Sequence, residues 1–289
     1  MAATCNKHEL YAQSVQAVDT EVVNLIAMRR QISSSLQTAL SLREDFCGTA
    51  VLCHAWCSSF ISRVAYGIDN DPAVISYART HTLNGDDASS RVQLTLGSVT
   101  TPRHEFKTRI PRVDIIAGLN YGICYFYTRK ELLLYLTRCR DGLRNGGAYI
   151  FEQSPINPMT NLVAMKLHFS FSDGSQLRNA FGYDFRIWTI PEVREAMNDA
   201  GFRNIHVWMA PFPDSKPSKV ASQSEEDDEE DTGDDESDDE GGETESQGFE
   251  YRRVEGDHLP QMRGYNVYMV ATVGDFIEDE EIDEDQYSS

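Results

Sequence analysis

The chain has 289 residues, of which 40% are hydrophobic, and its formal net charge at pH 7 is −20. This length allows one large or two small domains, and the composition supplies enough apolar side chains for a sizeable core. The N-terminus has no apolar stretch flanked by basic residues, and no run approaches about 18 apolar residues, which excludes a signal peptide and a membrane span. We therefore expect an intracellular protein, cytoplasmic or nuclear.

The negative charge is confined to two segments. Fifteen Asp and Glu residues lie between Ser224 and Gly248, eight more follow from Asp275 to Ser289, and neither segment contains Lys or Arg. Without these acids, 23 acidic residues stand against 26 Lys and Arg, a net charge of about +3. Such a body does not indicate binding to nucleic acid or to an anionic membrane.

The N-terminal region predicts a helix followed by the first strand. Apolar residues at helical spacing predict a helix over Glu9–Ala27. A short strand over Ala39–Leu42 then enters the segment Leu42-Arg-Glu-Asp-Phe-Cys-Gly-Thr-Ala50. The run Thr49–Phe60 is rich in Ala, Leu, Cys and Trp, which is typical of a helix packed on a sheet. An acidic residue and a small-residue turn therefore stand between the first strand and its helix.

The next two strands both end in polar residues. Arg63–Ile68 is the predicted second strand and ends at Asp69, while Asp71 is placed to cap a helix over Ala73–His81. The clean alternation of Val92–Leu96 predicts the third strand, which Gly97-Ser98-Val99 closes.

The alternation of strands and helices continues to residue 151. Pro111–Ala117 is the predicted fourth strand and leads into Gly118-Leu-Asn120-Tyr-Gly122. A helix over Arg129–Leu143 follows, with Asn145-Gly-Gly147 as its stop signal, before a fifth strand over Ala148–Phe151. Strands that alternate with helices indicate βαβ units and a parallel sheet.

The pattern changes after residue 152. Ser154 to Arg186 is irregular, with strand-like pieces at 167–171 and 183–188. Thr189 is placed to cap a helix over Pro191–Ala200. Two further strands, Asn204–Trp208 and Tyr265–Val273, are expected to pair as a hairpin around a long acidic loop, because loop entropy grows only slowly with length.

The order of these elements resembles class I S-adenosylmethionine-dependent methyltransferases over residues 36 to 273. Their first motif, Asp-x-Gly-x-Gly-x-Gly, maps onto Glu44-x-Phe46-x-Gly48-x-Ala50, so one of three glycines is kept. The resemblance implies an α/β fold, a Rossmann-like seven-stranded methyltransferase sheet with a terminal antiparallel hairpin.

A closer resemblance is to a poorly characterised methyltransferase group with a Glu-Asp-Phe-Cys-Gly-Thr first motif. The matching residues are the hexapeptide from Glu44 to Thr49, and the pair Asn120-Tyr121 upstream of Thr128-Arg129. The implied cofactor is S-adenosyl-L-methionine, whose methyl group passes to an acceptor that the sequence does not identify.

The resemblance assigns the donor site to the first two strand ends. It implies that Glu44 holds the amino end of the cofactor, with the backbone at Phe46 and Gly48 along its methionine portion. For the Phe46 side chain, packing in the core is an equal alternative to a place in the site. Asp69 is expected to accept both ribose hydroxyls, because a carboxylate presents two acceptor oxygens, and Asn70 to contact adenine.

Two further strand ends complete the predicted site. Gly97-Ser98-Val99 stands where relatives contact adenine, with the Ser98 hydroxyl as an acceptor and the Val99 amide as a donor. Asn120 is the predicted catalytic residue, at the edge where donor and acceptor meet. An Asn that bonds its own backbone at a strand end is the alternative for Asn120.

Five other residues are secondary candidates. Tyr11 lies on a helix that covers the donor site in this architecture, and Glu152 follows the fifth strand. For Arg129 the simpler interpretation is that it begins a helix, and for Tyr183 and Trp188 it is that they pack within a strand. The histidines and cysteines show no metal-ligand spacing, so no metal site is predicted.

The predicted organisation is one domain with appendages. We expect an N-terminal helical lid over residues 1–35, a methyltransferase domain over 36–213 and 249–274, a disordered acidic insert over 214–248 and a disordered acidic tail over 275–289. One hypothesis is that the insert binds a basic protein, and the other is that it only aids the solubility of the chain.

Three functions stay open from the sequence. The first is methyl transfer to a small molecule or a protein. The second is a cofactor-binding scaffold, catalytically weak or inactive, that acts through its acidic segments. The third is a dinucleotide-binding oxidoreductase, against which the single glycine of the turn and the final antiparallel pair argue.

Overall fold

A mixed sheet of eight strands forms the centre of the computed structural model. Its strand order is β3-β2-β1-β4-β5-β10-β8-β9. The five strands from β3 to β5 are parallel, and β10 runs antiparallel between β5 and β8. This confirms the predicted Rossmann-like sheet with a terminal antiparallel pair. The sheet has one strand more than the seven predicted, the two-residue strand Arg252–Arg253 beside β8. The structure describes residues 5–15, 17–32, 38–153, 161–211, 251–254 and 265–274.

The strands begin and end as follows. They are β1 (Ser41–Asp45), β2 (Val64–Asp69), β3 (Val92–Leu96), β4 (Val113–Gly118), β5 (Leu143–Gln153), β6 (Leu162–Ser170), β7 (Gln176–Arg186), β8 (Arg203–Pro211), β9 (Arg252–Arg253) and β10 (Tyr265–Thr272).

The helices are α1 (Lys7–Val15), α2 (Val18–Ile32), α3 (Val51–Ser58), α4 (Pro72–Tyr77, continued by a π-helical turn over Ala78–Thr82), α5 (Asp87–Ser90), α6 (Arg129–Gly142) and α7 (Ile190–Asp199), with a 3₁₀ turn over Gly122–Tyr125. Of these, α3 to α6 lie in the connections between parallel strands. Among the described residues, no helix combines the length and apolar character needed to cross a membrane.

Two apolar clusters cover the two faces of the sheet. One contains Leu25 and Met28 of α2 together with Trp56 and Trp208. The other contains residues of α6 and α7 around Trp188. Every residue of β1 is buried, as expected for the central strand of a parallel sheet covered on both faces. The core is therefore a layer of sheet between two layers of helix.

The predicted helix caps are confirmed. Asp71 caps α4 by accepting a hydrogen bond from the Ala73 amide at 2.8 Å. Thr189 caps α7 in a capping box with Glu192. Thr128 and Glu131 form the same box at the start of α6.

Several sequence-based boundaries need correction. The helix predicted over Glu9–Ala27 is two helices, α1 and α2. The first strand continues to Asp45, because the polar side chains of 43–45 find partners inside the protein. The predicted stop Asn145-Gly-Gly147 lies inside β5, where the register against β4 shifts. The segment predicted as irregular after residue 154 contains a separate antiparallel hairpin of β6 and β7.

Candidate functional site

The turn after β1 has an unusual backbone. Phe46, Gly48 and Ala50 have φ angles of 60°, 53° and 59°, in the left-handed region that favours glycine. These are the three positions onto which the sequence resemblance maps the glycines of the methyltransferase first motif. A Cβ at Gly48 would meet no atom within 4 Å. The chain thus keeps the backbone shape of a glycine-rich turn, and the turn faces open space.

Asp69 ties this turn to the end of β2. One carboxylate oxygen accepts a hydrogen bond from the Gly48 amide at 2.9 Å, and the other accepts from the Asp71 amide at 2.9 Å. The carboxylate is half-buried. Since each carboxylate oxygen has two lone pairs, Asp69 keeps acceptor capacity for hydroxyls of a ligand.

The carboxyl ends of β1 to β4 border one cleft of about 550 Å³. Clefts of this size hold small molecules and cofactors, and the strand ends of an open α/β sheet are where they form. Eight of the nine predicted site residues line it: Phe46, Gly48, Asp69, Asn70, Gly97, Ser98, Val99 and Asn120.

Glu44, the ninth, is buried beside the cleft and does not line it. Its carboxylate accepts a hydrogen bond from the Cys53 amide at 3.1 Å. Cys53 is the third residue of α3, and Ala50, the N-cap residue before the helix, offers no side-chain cap. Glu44 therefore supplies the missing cap from β1. Burial raises the pKa of Glu44 to about 8. Its predicted contact with the cofactor stays a prediction.

The loop after β3 has its own hydrogen bonds. The Gly97 amide donates to the Asp69 carbonyl at 2.9 Å, which holds this loop beside β2. The exposed Ser98 hydroxyl pairs with the Thr100 hydroxyl at 2.7 Å. A hydroxyl can donate one hydrogen bond and accept others, so Ser98 is able to accept from a ligand while it bonds Thr100.

Asn120 and Tyr121 form a second left-handed segment, after β4. Their φ angles are 52° and 60°. A bulky residue in this region indicates local strain, which proteins retain mostly at ligand sites and switches. Gly122 follows Tyr121, and the ring of Phe46 packs on it so closely that any side chain at 122 would collide with the ring. The donor-side turn and the Asn120 loop are thereby in direct contact.

Helix α1 and the β6–β7 hairpin close the cleft from above. Lys7, His8 and Tyr11 of α1 line it. The Tyr11 and Phe181 rings lie 5.0 Å apart, and the Lys7 ammonium lies 5.1 Å from the Phe181 ring centre. Helix α2, in contrast, packs into the core. Of the lid predicted over residues 1–35, α1 is the described part that borders the cleft.

Burial sets the electrostatics of the cleft. It raises the pKa of Tyr125 to about 12, with smaller contributions from nearby Tyr11 and Asp69. It also raises the pKa of the Cys47 thiol, as does the neighbouring Glu44. Burial and Lys7 lower the pKa of His8. At neutral pH these phenol, thiol and imidazole groups are therefore mainly uncharged.

The secondary candidates divide between the cleft and other places. Tyr11 and Tyr183 line the cleft. Arg129 begins α6 and pairs with Asp199 of α7. Trp188 is buried in the core, where its indole donates to the Phe126 carbonyl at 3.1 Å. The side chain of Glu152 lies outside the described residues. Among described residues, no His, Cys, Asp and Glu cluster is suited to a metal ion.

The sequence interpretation missed most of the aromatic lining. Tyr121, Tyr125, Phe181 and Phe185 all border the cleft. The alternating aromatic residues at 181, 183 and 185 are a strand signal that marks one common face, and that signal was available in the sequence.

No model of a known protein family matches this chain, and no curated protein sequence is significantly similar to it. Solved structures do match. An S-adenosylmethionine-dependent methyltransferase from Clostridium acetobutylicum has a TM-score of 0.56 and 11% identity, over 92% of this chain and 97% of its own. CalS10, an amino pentose methyltransferase from Micromonospora echinaspora solved with S-adenosylmethionine bound, has a TM-score of 0.54 and 15% identity over 71% and 91%.

A third match is the CcbJ methyltransferase from Streptomyces caelestis, with a TM-score of 0.52 and 12% identity over 66% of this chain and 87% of its own. At such identities the likeness concerns the fold. The fold is that of the class I S-adenosylmethionine-dependent methyltransferases.

Proposed function

We propose that this chain binds S-adenosyl-L-methionine in the cleft and transfers its methyl group to an acceptor bound beside Asn120. The observation that carries the proposal is the left-handed backbone at Phe46, Gly48 and Ala50 opposite Asp69. Phe46 and Ala50 adopt this conformation only at a cost, so its presence at both residues beside Gly48 supports a functional use of the turn's shape.

The described residues fit the cofactor. The open space at Gly48 allows close approach of a ligand to the backbone. Asp69 would hold the ribose hydroxyls, and Asn70, Ser98 and Val99 would border the adenine. Lys7 and His8 of α1 would cover this end, because His8 packs on Tyr77 at 5.0 Å and lies near Asp71.

The remaining cleft residues position the acceptor. When bound, S-adenosylmethionine would supply an electrophilic methyl group on positively charged sulfur, and the cleft would hold an acceptor lone pair in line with it. Asn120 would orient the acceptor through its side-chain amide. Such transfer depends mainly on holding the two reactants in line, so a dedicated base is not required.

The alternatives are less well supported. The dinucleotide-binding oxidoreductase lacks support from the sheet, because antiparallel β10 between β5 and β8 is the methyltransferase arrangement. The second alternative, a catalytically weak or inactive scaffold that acts through its acidic segments, would bind the cofactor at the same donor site. It would differ from the enzyme in that it transfers the methyl group slowly or not at all. A transfer assay with labelled donor over fractionated lysate separates it from the enzyme.

Calorimetry with S-adenosylhomocysteine tests the donor site. The full chain should bind this product and should not bind NAD. Asp69→Asn keeps the shape of the side chain and removes its charge, and should weaken binding at least tenfold. Asp87→Asn is the control, because Asp87 is exposed and pairs with Arg91 outside the cleft. Absence of S-adenosylhomocysteine binding to a folded wild-type chain would refute the proposal.

A further inference from the structure

One wall of the cleft consists of aromatic rings on a single strand. Phe181, Tyr183 and Phe185 alternate along β7, so their side chains share one face of the hairpin. The Phe181 and Tyr183 rings are parallel within 2° at 6.4 Å, and the Tyr183 and Phe185 rings within 12° at 5.3 Å. All three line the cleft. The result is an ordered row of parallel rings, which we call the aromatic row.

Apolar residues and a further ring extend this wall. Met165 and Leu167 of β6 lie opposite Tyr183 and Phe181 in the hairpin and also line the cleft. Tyr125 packs edge-on against Phe185 at 5.2 Å and 78°.

Tyr125 also connects the aromatic row to the donor side. It stacks on Phe46 at 5.8 Å and 29°. The aromatic row is therefore linked through one ring to the turn that the proposed donor occupies. A molecule bound on the row would lie within the same cleft as the donor.

The charged side chains that line the cleft each have a contact within the protein. Its described carboxylates are Asp69 and Asp71, and both accept hydrogen bonds from backbone amides. Lys7 lies over the Phe181 ring. Burial raises the pKa of Tyr183, which hydrogen-bonds with Tyr11, so the aromatic row is uncharged at neutral pH. Among the described residues that line the cleft, none on the β6–β7 hairpin carries a charge that could pair with a charged acceptor.

We infer that the methyl acceptor is an uncharged molecule with a planar aromatic ring system, which binds against the aromatic row. This rests on the proposed function of the same cleft. Offset and edge-to-face contacts with Phe181 and Tyr183, which Phe185 supports from the core, favour an aromatic ring over a saturated one of equal size, because the ring quadrupoles are complementary.

Binding of 2-naphthol to the full chain saturated with S-adenosylhomocysteine tests this inference. Decahydro-2-naphthol is the matched saturated probe, with the same hydroxyl and no aromatic ring, and tetramethylammonium is the cationic probe. We expect 2-naphthol to bind at least fivefold more tightly than either. Tyr183→Leu should weaken the binding of 2-naphthol about fivefold. Phe169→Leu is the control, because Phe169 lies on β6 of the same hairpin and does not line the cleft.

The outcomes separate the two proposals. If S-adenosylhomocysteine binds but 2-naphthol binds no better than the saturated probe, the inference on the acceptor is wrong and the donor site stands. Tighter binding of tetramethylammonium, or an equal loss in Tyr183→Leu and Phe169→Leu, would also overturn it. If S-adenosylhomocysteine itself fails to bind, the proposed function falls first and the inference falls with it.

Discussion

Phe46 and Ala50 occupy backbone conformations that glycine would adopt with less strain. A left-handed conformation costs a non-glycine residue about 1–2 kcal/mol. For Phe46 the ring compensates, because it packs against Tyr125, Phe126 and Tyr135. For Ala50 the compensation is a single buried methyl group. The two substitutions of glycine are therefore retained for different reasons.

Ala50→Gly tests this account of the turn. The change relieves the strained backbone and loses one buried methyl group, worth about 0.8 kcal/mol. The relief of about 1–2 kcal/mol of strain exceeds that loss, so the free energy of unfolding should stay unchanged or rise by up to about 1 kcal/mol. Ala55→Gly in the regular part of α3 is the control and should lower it by about 1 kcal/mol. Chemical denaturation measures both; equal losses would show that Ala50 is not strained.

Glu44 should make the stability depend on pH. Its pKa is about 8 in the folded protein, against 4.5 for the ordinary group. Between these values the folded chain holds a proton that the unfolded chain has lost, so the free energy of unfolding falls as the pH rises. The slope from Glu44 approaches about 1.4 kcal/mol per pH unit.

Glu44→Gln isolates this contribution. It keeps an acceptor for the Cys53 amide and removes the titration, so the slope between about pH 4.5 and 8 should flatten. Glu195→Gln, at an exposed position of α7, should leave the slope as in the wild type. A Glu44→Gln variant with an unchanged slope would contradict the buried, protonated carboxyl.

At the scale of elements, the contact between Phe46 and Gly122 joins the loop after β1 to the loop after β4. Both loops contain left-handed residues, and both line the cleft. A change in one loop must therefore be accommodated by the other, because close-packed groups transmit displacement. We expect the donor end and the aromatic row to respond together to a bound ligand.

Gly122→Ala tests this contact. The new Cβ would stand 2.8 Å from Cε2 of Phe46 and closer still to Cδ2. We expect a loss of about 1–3 kcal/mol in the free energy of unfolding and at least tenfold weaker S-adenosylhomocysteine binding. Gly182→Ala is the control, because a Cβ at 182 in the hairpin meets no atom within 4 Å. Unchanged stability and binding in Gly122→Ala would show that the two loops move apart freely.

The strands of the sheet could be predicted from the sequence by their runs of apolar and β-branched residues, and the edge strand β3 by its clean alternation. Val92–Leu96 was predicted to the residue, and the strands that became β2, β4, β8 and β10 differ only at their ends. The hairpin could not be predicted in full. Its two faces border the cleft and the solvent, so the residues of β6 and β7 lack the burial pattern of core strands.

The candidate site was predictable where it depends on strand ends. Residues after β1 to β4 meet at one edge whatever their side chains, which is why eight of the nine predicted residues line the cleft. Glu44 shows the limit of that reasoning. Its position in the motif predicts a ligand contact, whereas its direction from β1 is decided by the uncapped N-terminus of α3.

At the scale of the whole molecule, the net negative charge lies in two segments of the sequence outside the described fold. The predicted acidic insert at 214–248 and the tail at 275–289 lie outside the described residues. Without the acids between Ser224 and Gly248 and from Asp275 to Ser289, the chain is near neutral. We propose that the insert binds a basic protein, because its part from Ser224 to Gly248 has 15 acidic residues and no Lys or Arg, which gives a strong local negative charge.

Replacement of residues 214–248 by a Gly/Ser segment of equal length tests this proposal. The loop length is kept, so the unfolding temperature and S-adenosylhomocysteine binding should stay as in the wild type. Binding to poly-L-lysine at physiological salt should fall at least tenfold, since exposed charges still attract over about 8 Å under these conditions. Equal binding of both chains would contradict a role for the insert.

The central position of β10 has a consequence for how the chain acquires its structure during synthesis. β10 lies between β5 and β8, yet it is the last described strand to leave the ribosome. Until it arrives, β8 has no strand that joins it to the parallel half of the sheet, whose edge at β5 is exposed. Pairing at such long sequence separation is slow. We therefore expect the nascent chain to wait as a five-stranded intermediate, whose open edge is the point where a chaperone would act.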